Sequence, residues 1–325
     1  KANGTVKKIV VLLNSSATIQ LDFLDKSTID VDAVMWVGNV GKSGINAVAK
    51  ALCGKVTPSG KLSDTYLKDN FSSPAMKQQS YNNRKNFMSA YDNGDQLTDD
   101  SQKYYGVYTE GIYVGYRYYE TRYADYVSGA SGVGEYNYGG DVAYTFGYGL
   151  SYTTFSCKYS FSVADDTVSV KAVIKNTGSV AGKEVVQIYS ASPKGKLDKP
   201  ARELRAFAKS RLLAPGKSQT IVLSFKTEQM ASYDEETAAY ILEGGVYTIF
   251  AGNDVRSASE AGTLELEETV VKKLKNRCVT HKLSKRMKSD GSFEECDVSE
   301  YEPLLDTSGW GDDKYWKYRY THLLE

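Results

Sequence analysis

The sequence predicts a multidomain chain: an α/β segment with a mostly parallel sheet, followed by an all-β sandwich. Three observations predict it. The apolar runs KKIVVLLN and DAVMWVG do not alternate with polar residues, as expected for strands of a parallel sheet covered on both faces. The second run leads into Ile45, Val48, Ala49 and Leu52, which recur at helical spacing. From about Phe155 the pattern changes to a period of two and stays there. The 325 residues suffice for two or three domains, and a 41% hydrophobic content supplies their cores.

Taken in order, Ile9 to Leu13 reads as a buried strand. Asp32 to Gly38 reads as a second, and the helix after it has Ser43 as its N-cap and Gly54 as its stop. Strand, glycine turn and helix make one βα unit. Residues 71–108 are polar and weakly patterned, which predicts a long loop excursion; such loops are usually functional or mobile. Tyr108 to Glu120, YTEGIYVGYRYYE, is aromatic and β-prone. Residues 124–141 are rich in glycine and serine and read as another loop. TVSVKAVIKNTG, EVVQIYSASP, SQTIVLSFK and AAYILEGGVYTIFAGN then follow as short strands bounded by turn residues. The domain boundary falls near Gly147 to Tyr152. Beyond Leu266 the pattern fades, and LEETVVKKLKNRCVTHKLSKRM reads as the start of a helix.

Charge and composition exclude several functions. Lysines plus arginines number 40 and acids 40, so no positive excess exists for nucleic acid or an anionic membrane. No apolar run approaches the length of a membrane-spanning helix. The N-terminal apolar run is short and has no small-residue cleavage site after it, unlike a signal peptide. Cys53, Cys157, Cys278 and Cys296 are widely spaced, which predicts ordinary thiols, with a Cys278–Cys296 bridge as the alternative. With only His281 and His322 in the chain, a metal site or a Ser-His-Asp triad is poorly supplied, and no cofactor is expected. Tyrosine is abundant, at 26 residues. Its flat apolar face and polar tip suit sugars and interfaces, and also ordinary β surfaces.

WVGNVGKSG, Trp36 to Gly44, superficially resembles a phosphate cradle. A phosphate-binding loop needs glycine five residues before the glycine of Gly-Lys-Ser, which here is Gly41. Trp36 occupies that position, and its indole would block close backbone approach to a phosphate. The spacing therefore argues against nucleotide binding.

Read further, Gly54-Lys55-Val56-Thr57-Pro58-Ser59-Gly60-Lys61-Leu62 resembles the "GKVNPSGKLP" segment of family-3 glycoside hydrolases, with Ser63 where proline is usual. Glu110-Gly111-Ile112-Tyr113-Val114-Gly115-Tyr116-Arg117-Tyr118-Tyr119 is similar to that family's "EGIxVGYRYY". Phe146-Gly147-Tyr148-Gly149-Leu150-Ser151-Tyr152-Thr153-Thr154-Phe155 is similar to its "FGYGLSYTTF". The resemblance spans about residues 8–265 and implies a partial α/β-sandwich domain over 1–150 and a fibronectin-III-like, immunoglobulin-like β-sandwich over 151–267. It assigns 268–325 to an extension or linker towards a (β/α)8 barrel, as in members with reversed domain order. It also implies a retaining β-glycosidase, a β-glucosidase foremost, acting on a β-linked oligosaccharide or glucoside. Retention requires two carboxyl groups flanking the bond.

The family's nucleophile is an aspartate on the barrel, which at about 250 residues does not fit in this chain. Its acid/base glutamate lies upstream of the VVLLN strand. By resemblance, no catalytic residue is expected here. The barrel would belong to the same parent protein or to a partner chain, and an incomplete sheet leaves self-association open. Trp36, Glu110 and Arg117 remain as candidate substrate-binding residues. Trp36 sits at a strand's carboxyl end, where α/β sheets present ligand contacts; its alternative is packing. Glu110, Glu120, Asp64 and Asp141 read as ordinary acids, and Arg117, among tyrosines, as a structural cation. The competing reading of the whole chain is a non-catalytic scaffold that binds carbohydrate or protein.

Overall fold

The computed structural model describes residues 5–25, 30–80, 83–84, 87–89, 104–106, 110–275 and 285–296. They fall into two units, Lys1–Asn70 with Ile112–Leu274, and Phe71–Gly111 with Lys275–Glu325. Cys278 and the segment 297–325 lie outside the described residues, while Cys53, Cys157 and Cys296 are free thiols.

The first unit opens with β1 (Val10–Leu13) and β2 (Ala33–Trp36), paired in parallel with Val11 opposite Val34 and Leu13 opposite Trp36. Helix α1 (Gly41–Leu52) follows. Its N-cap is Val40, without a side-chain cap, so Ser43 lies inside the first turn and does not start the helix. Gly54 does stop it: φ is +71° and its N–H bonds Ala51 O at 2.9 Å. β3 (Tyr66–Leu67) pairs with the later strand Val142–Tyr144. The sheet is covered on one face only among the described residues. Val11, Leu13 and Val34 pack with Leu21 and Tyr66, while Val10 and Leu12 are 45% and 41% exposed. The expectation of two covered faces is corrected: an unbroken apolar run shows that both faces are apolar, not that both are covered.

The second unit holds short elements where sequence predicted a patternless excursion. They are α2 (Pro74–Gln78), β4 (Gln79–Ser80) paired with β5 (Asn83–Arg84), and β6 (Phe87–Ser89) paired with β7 (Tyr104–Gly106). Strands this short carry almost no periodicity to read.

Back in the first unit, α3 (Tyr116–Val127) occupies the stretch read as β-prone and the start of the one read as loop. Tyrosine's β preference is weak against the burial of Tyr118 and Tyr119, together with Glu120 and Thr121, that the helix achieves. Gly115 turns the chain into it with φ +58°. Helix α4 (Tyr138–Asp141), capped by the Asn137 side chain on Gly140 N at 3.1 Å, leads into β8 (Val142–Tyr144).

The sandwich comprises β9 (Phe155–Ala164), β10 (Thr167–Asn176), β11 (Val185–Ala191), β12 (Glu203–Lys209), β13 (Ser218–Lys226), β16 (Gly245–Gly252) and β17 (Ser259–Leu266). One sheet runs β13-β10-β9 and the other β12-β11-β16-β17. Alternate residues of β10 face inward: Val168, Val170, Ala172 and Ile174 are fully buried against Val186, Ile188, Ile249 and Leu223. A small sheet of β14 (Ser232–Asp234), β15 (Ala239–Leu242) and β18 (Thr269–Lys273) completes the unit. In the second unit β19 (Lys285–Met287) pairs with β20 (Phe293–Glu295). Where a helix was expected after Leu266, residues 269–273 form β18, whose Val270 pairs with Ile241, and residues 276–284 lie outside the described residues.

Candidate functional site: a tryptophan cleft and the seam beneath it

The carboxyl ends of β1 and β2 open into a shallow cleft of about 80 Å³ lined by Trp36, Asp64, Tyr66, Ser16, Thr18 and Ser63, with Ala17 and Leu62. Trp36 Nε1 donates to Ser15 O at 2.9 Å. Its six-membered ring folds over Gly38, where an added Cβ would come within 3.2 Å of Cζ2 and where φ is +57°. The indole is thus held on one side and remains 40% exposed. Asp64 Oδ1 accepts the Thr65 N–H at 2.8 Å. Asp64 reaches solvent through the cleft mouth, yet the surrounding walls desolvate its carboxyl and hold its pKa above the usual carboxylate range.

The other two candidates lie elsewhere. Arg117, in the first turn of α3, pairs with Glu203 of β12 at 3.2 Å. Glu110 belongs to the second unit and is 5% exposed, and its buried Oε2 has no hydrogen-bond partner among the described residues. Within the first unit, Arg117 is not among the residues that line the Trp36 cleft.

The three sequence motifs instead meet along the seam between the α/β segment and the sandwich. Thr57 Oγ1 donates to Ala181 O at 2.7 Å. Lys61 Nζ donates to Gly149 O at 2.8 Å and pairs with Glu184 at 3.1 Å, both side chains nearly buried. Leu62 N bonds Tyr148 O and Gly147 N bonds Leu62 O, each at 2.8 Å. Tyr116 stacks on Phe146 with ring centroids 4.5 Å apart, and its hydroxyl accepts the Leu204 N–H at 2.8 Å.

A second knot ties α3 to the sandwich. Glu120 accepts from the Tyr138 hydroxyl at 2.6 Å and from Arg256 at 3.1 Å, and the Arg256 guanidinium lies 3.6 Å from the Tyr123 ring centroid and 4.6 Å from that of Tyr138. Burial, then the neighbouring Glu120 charge, push the Tyr138 hydroxyl far above its usual pKa, so it stays a donor. Glu203, Arg256 and Gln187 escaped sequence reasoning, and Glu184 was visible only as part of the Gly182–Val186 stretch that resembles the family's fibronectin-like domain, without a partner. Gln187 lies mid-strand in β11, Glu184 directly precedes β11, Glu203 opens β12, and Arg256 lies in the turn between β16 and β17; nothing local names their distant partners.

The buried acids of the sandwich and α3 are committed in this way. Glu120 meets Arg256, Glu184 meets Lys61, Glu243 meets Lys199, and Asp234 accepts from Glu236 N and Thr237 Oγ1. No cluster of three or more histidine, cysteine or acidic side chains fit to hold a metal occurs among the described residues.

Comparison with known proteins fits this layout. Residues 1–116 match the Glycosyl hydrolase family 3 C-terminal domain, and residues 184–255 match the Fibronectin type III-like domain. The chain belongs to glycoside hydrolase family 3. Among family-3 relatives, β-glucosidase A of Butyrivibrio fibrisolvens is 36% identical over 314 residues, covering 90% of this chain and 34% of that protein. A β-glucosidase of Ruminococcus albus is 37% identical over 276 residues, covering 83% and 25%. Of solved structures, the β-glucosidase from Paenibacillus barengoltzii superposes with a TM-score of 0.69 at 33% identity, covering 89% of this chain and 30% of that one. β-Glucosidase 3B from Thermotoga neapolitana, solved in complex with α-D-glucose, gives 0.64 at 34% identity, covering 81% and 32%. The chain therefore spans about a third or less of the length of these relatives. The α/β domain followed by a fibronectin-like sandwich is the architecture the sequence motifs implied. No helix among the described residues is long and apolar enough to cross a membrane.

Proposed function

We propose that this chain is the wall and brace of a retaining β-glucosidase whose two catalytic carboxylates are supplied from outside it. The observation that carries the reading is the fate of the family motifs: they are consumed in the seam, holding the α/β segment rigidly against the sandwich. A catalytic carboxylate must be free to meet substrate, whereas Glu120, Glu184, Asp234 and Glu243 are held by cations or protein donors. A (β/α)8 barrel in the same parent protein or a partner chain would supply the nucleophile. The reaction would be double displacement through a glycosyl-enzyme intermediate on a terminal β-linked sugar. In this reading residues 1–150 form the α/β portion, 151–267 the sandwich, and 268–325 an extension towards the barrel. Trp36 faces the substrate side; Arg117 serves the brace through Glu203. Glu110 keeps a buried oxygen that is unpartnered among the described residues and remains a candidate for substrate contact.

A chimera tests this. In the Ruminococcus albus β-glucosidase the matched stretch is replaced by this chain, and hydrolysis of an aryl β-glucoside is followed. The expected result is retained hydrolysis. A folded chimera with an intact barrel and no activity would contradict the reading and favour a non-catalytic scaffold.

A further inference from the structure

Trp36 is anchored before any ligand arrives. Its N–H is spent on Ser15 O, one side of the ring rests on Gly38, and the remaining surface is open to the cleft. A platform already ordered loses little entropy on binding, which favours even weak ligands. Around it stand the hydroxyl-bearing side chains of Ser16, Thr18, Ser63 and Tyr66 and the carboxyl of Asp64. That mixture, one apolar plane ringed by hydrogen-bonding groups, suits a ring with an apolar C–H face and hydroxyl edges. Among the described residues no lysine or arginine lines the cleft, so phosphate, nucleotide or uronate would find no counter-charge there and would meet Asp64 instead. The volume is far below the several hundred Å³ of a drug-sized pocket, which limits the occupant to no more than one ring resting in the open cleft.

We infer that this cleft is a subsite for a single neutral pyranose, with Trp36 as its stacking platform and Asp64 as the acceptor for its hydroxyls. The inference rests on the reading of this chain as the substrate-side wall, and adds to it a ligand class and Asp64. Asp64 is a positioning and specificity residue: as a carboxylate it accepts charge-assisted hydrogen bonds from sugar hydroxyls and repels acidic sugars.

The test is direct binding by the full chain, followed by the indole N–H resonances of Trp36, Trp310 and Trp316 as D-glucose and, separately, D-glucuronate are titrated in. Trp36 should shift selectively and saturably with glucose, with a dissociation constant on the order of millimolar, and should not respond to glucuronate. Asp64→Asn should weaken glucose binding about tenfold. Absence of a selective Trp36 shift with the native chain overturns the subsite without recourse to any variant. So does unchanged affinity in Asp64→Asn, or equal binding of glucuronate. An active chimera with no glucose binding would sink the subsite alone, whereas glucose binding with an inactive chimera would sink the parent reading alone.

Discussion

Gly147 shows how much of the seam depends on single atoms. Its φ is +84°, and an added Cβ would stand 2.6 Å from the Gln187 side chain and 2.9 Å from the Asp254 backbone. Gly147→Ala should therefore cost at least about 2 kcal/mol, through both backbone strain and overpacking. In a unit of this size that lowers the melting temperature by roughly 4–8 °C, and an unchanged melt would remove Gly147 from the seam. Lys61 offers a complementary case. Lys61→Met leaves Glu184 buried without its cation and should cost about 3 kcal/mol, part of which Glu184→Gln should restore in the double variant. Purely additive losses would show that the pair is not coupled. Both residues sit in motifs visible in sequence. Their partners were not legible, because Gln187, Asp254 and Glu184 are brought near only by the sandwich fold.

At the scale of elements, strict alternation was the most readable signal. β10 has it because one face is fully buried and the other is not, so burial writes itself into the sequence. Helix α3 was misread for the opposite reason: YVGYRYYE carries β-preferring tyrosines, and its helicity comes from packing Tyr118 and Tyr119 and from Arg122 reaching the Tyr118 hydroxyl at 2.7 Å. Similarly, β18 hides in a lysine-rich run because its partner β15 lies far upstream. The turn after β15 makes a prediction of its own. Burial pushes the Glu243 carboxyl upward, but the Lys199 ammonium and the N–H groups of Lys196 and Leu197 outweigh it and hold its pKa below the usual range. A depressed carboxyl pKa stabilises the fold above the unfolded value, about 4.3, and that stability is lost as pH falls through the lower folded value. Glu243→Gln should therefore destabilise by about 2 kcal/mol at neutral pH, with the deficit shrinking in acid below the ordinary glutamate range. Thermal melts across that interval check it; a pH-independent deficit would contradict the assignment.

At the scale of the molecule, the β1–β2 sheet leaves one apolar face open among the described residues, with Val10 and Leu12 exposed and Ile45 of α1 54% exposed. Exposed apolar surface of this kind promotes association. Sedimentation of the chain alone should show mass rising with concentration, reduced by Leu12→Glu; a monomer at every concentration would mean the face is adequately solvated. The order of the two domains was legible because the motifs joining them are local in sequence. The cleft was legible only as Trp36, since Asp64 and Tyr66 arrive from beyond the helix. The central claim is that the acids performing the chemistry are not in this polypeptide. Its most direct test is the release of sugar from an aryl β-glucoside by the purified 325-residue chain alone. The account predicts none above the uncatalysed rate; steady turnover that is proportional to chain concentration and survives repurification would contradict it.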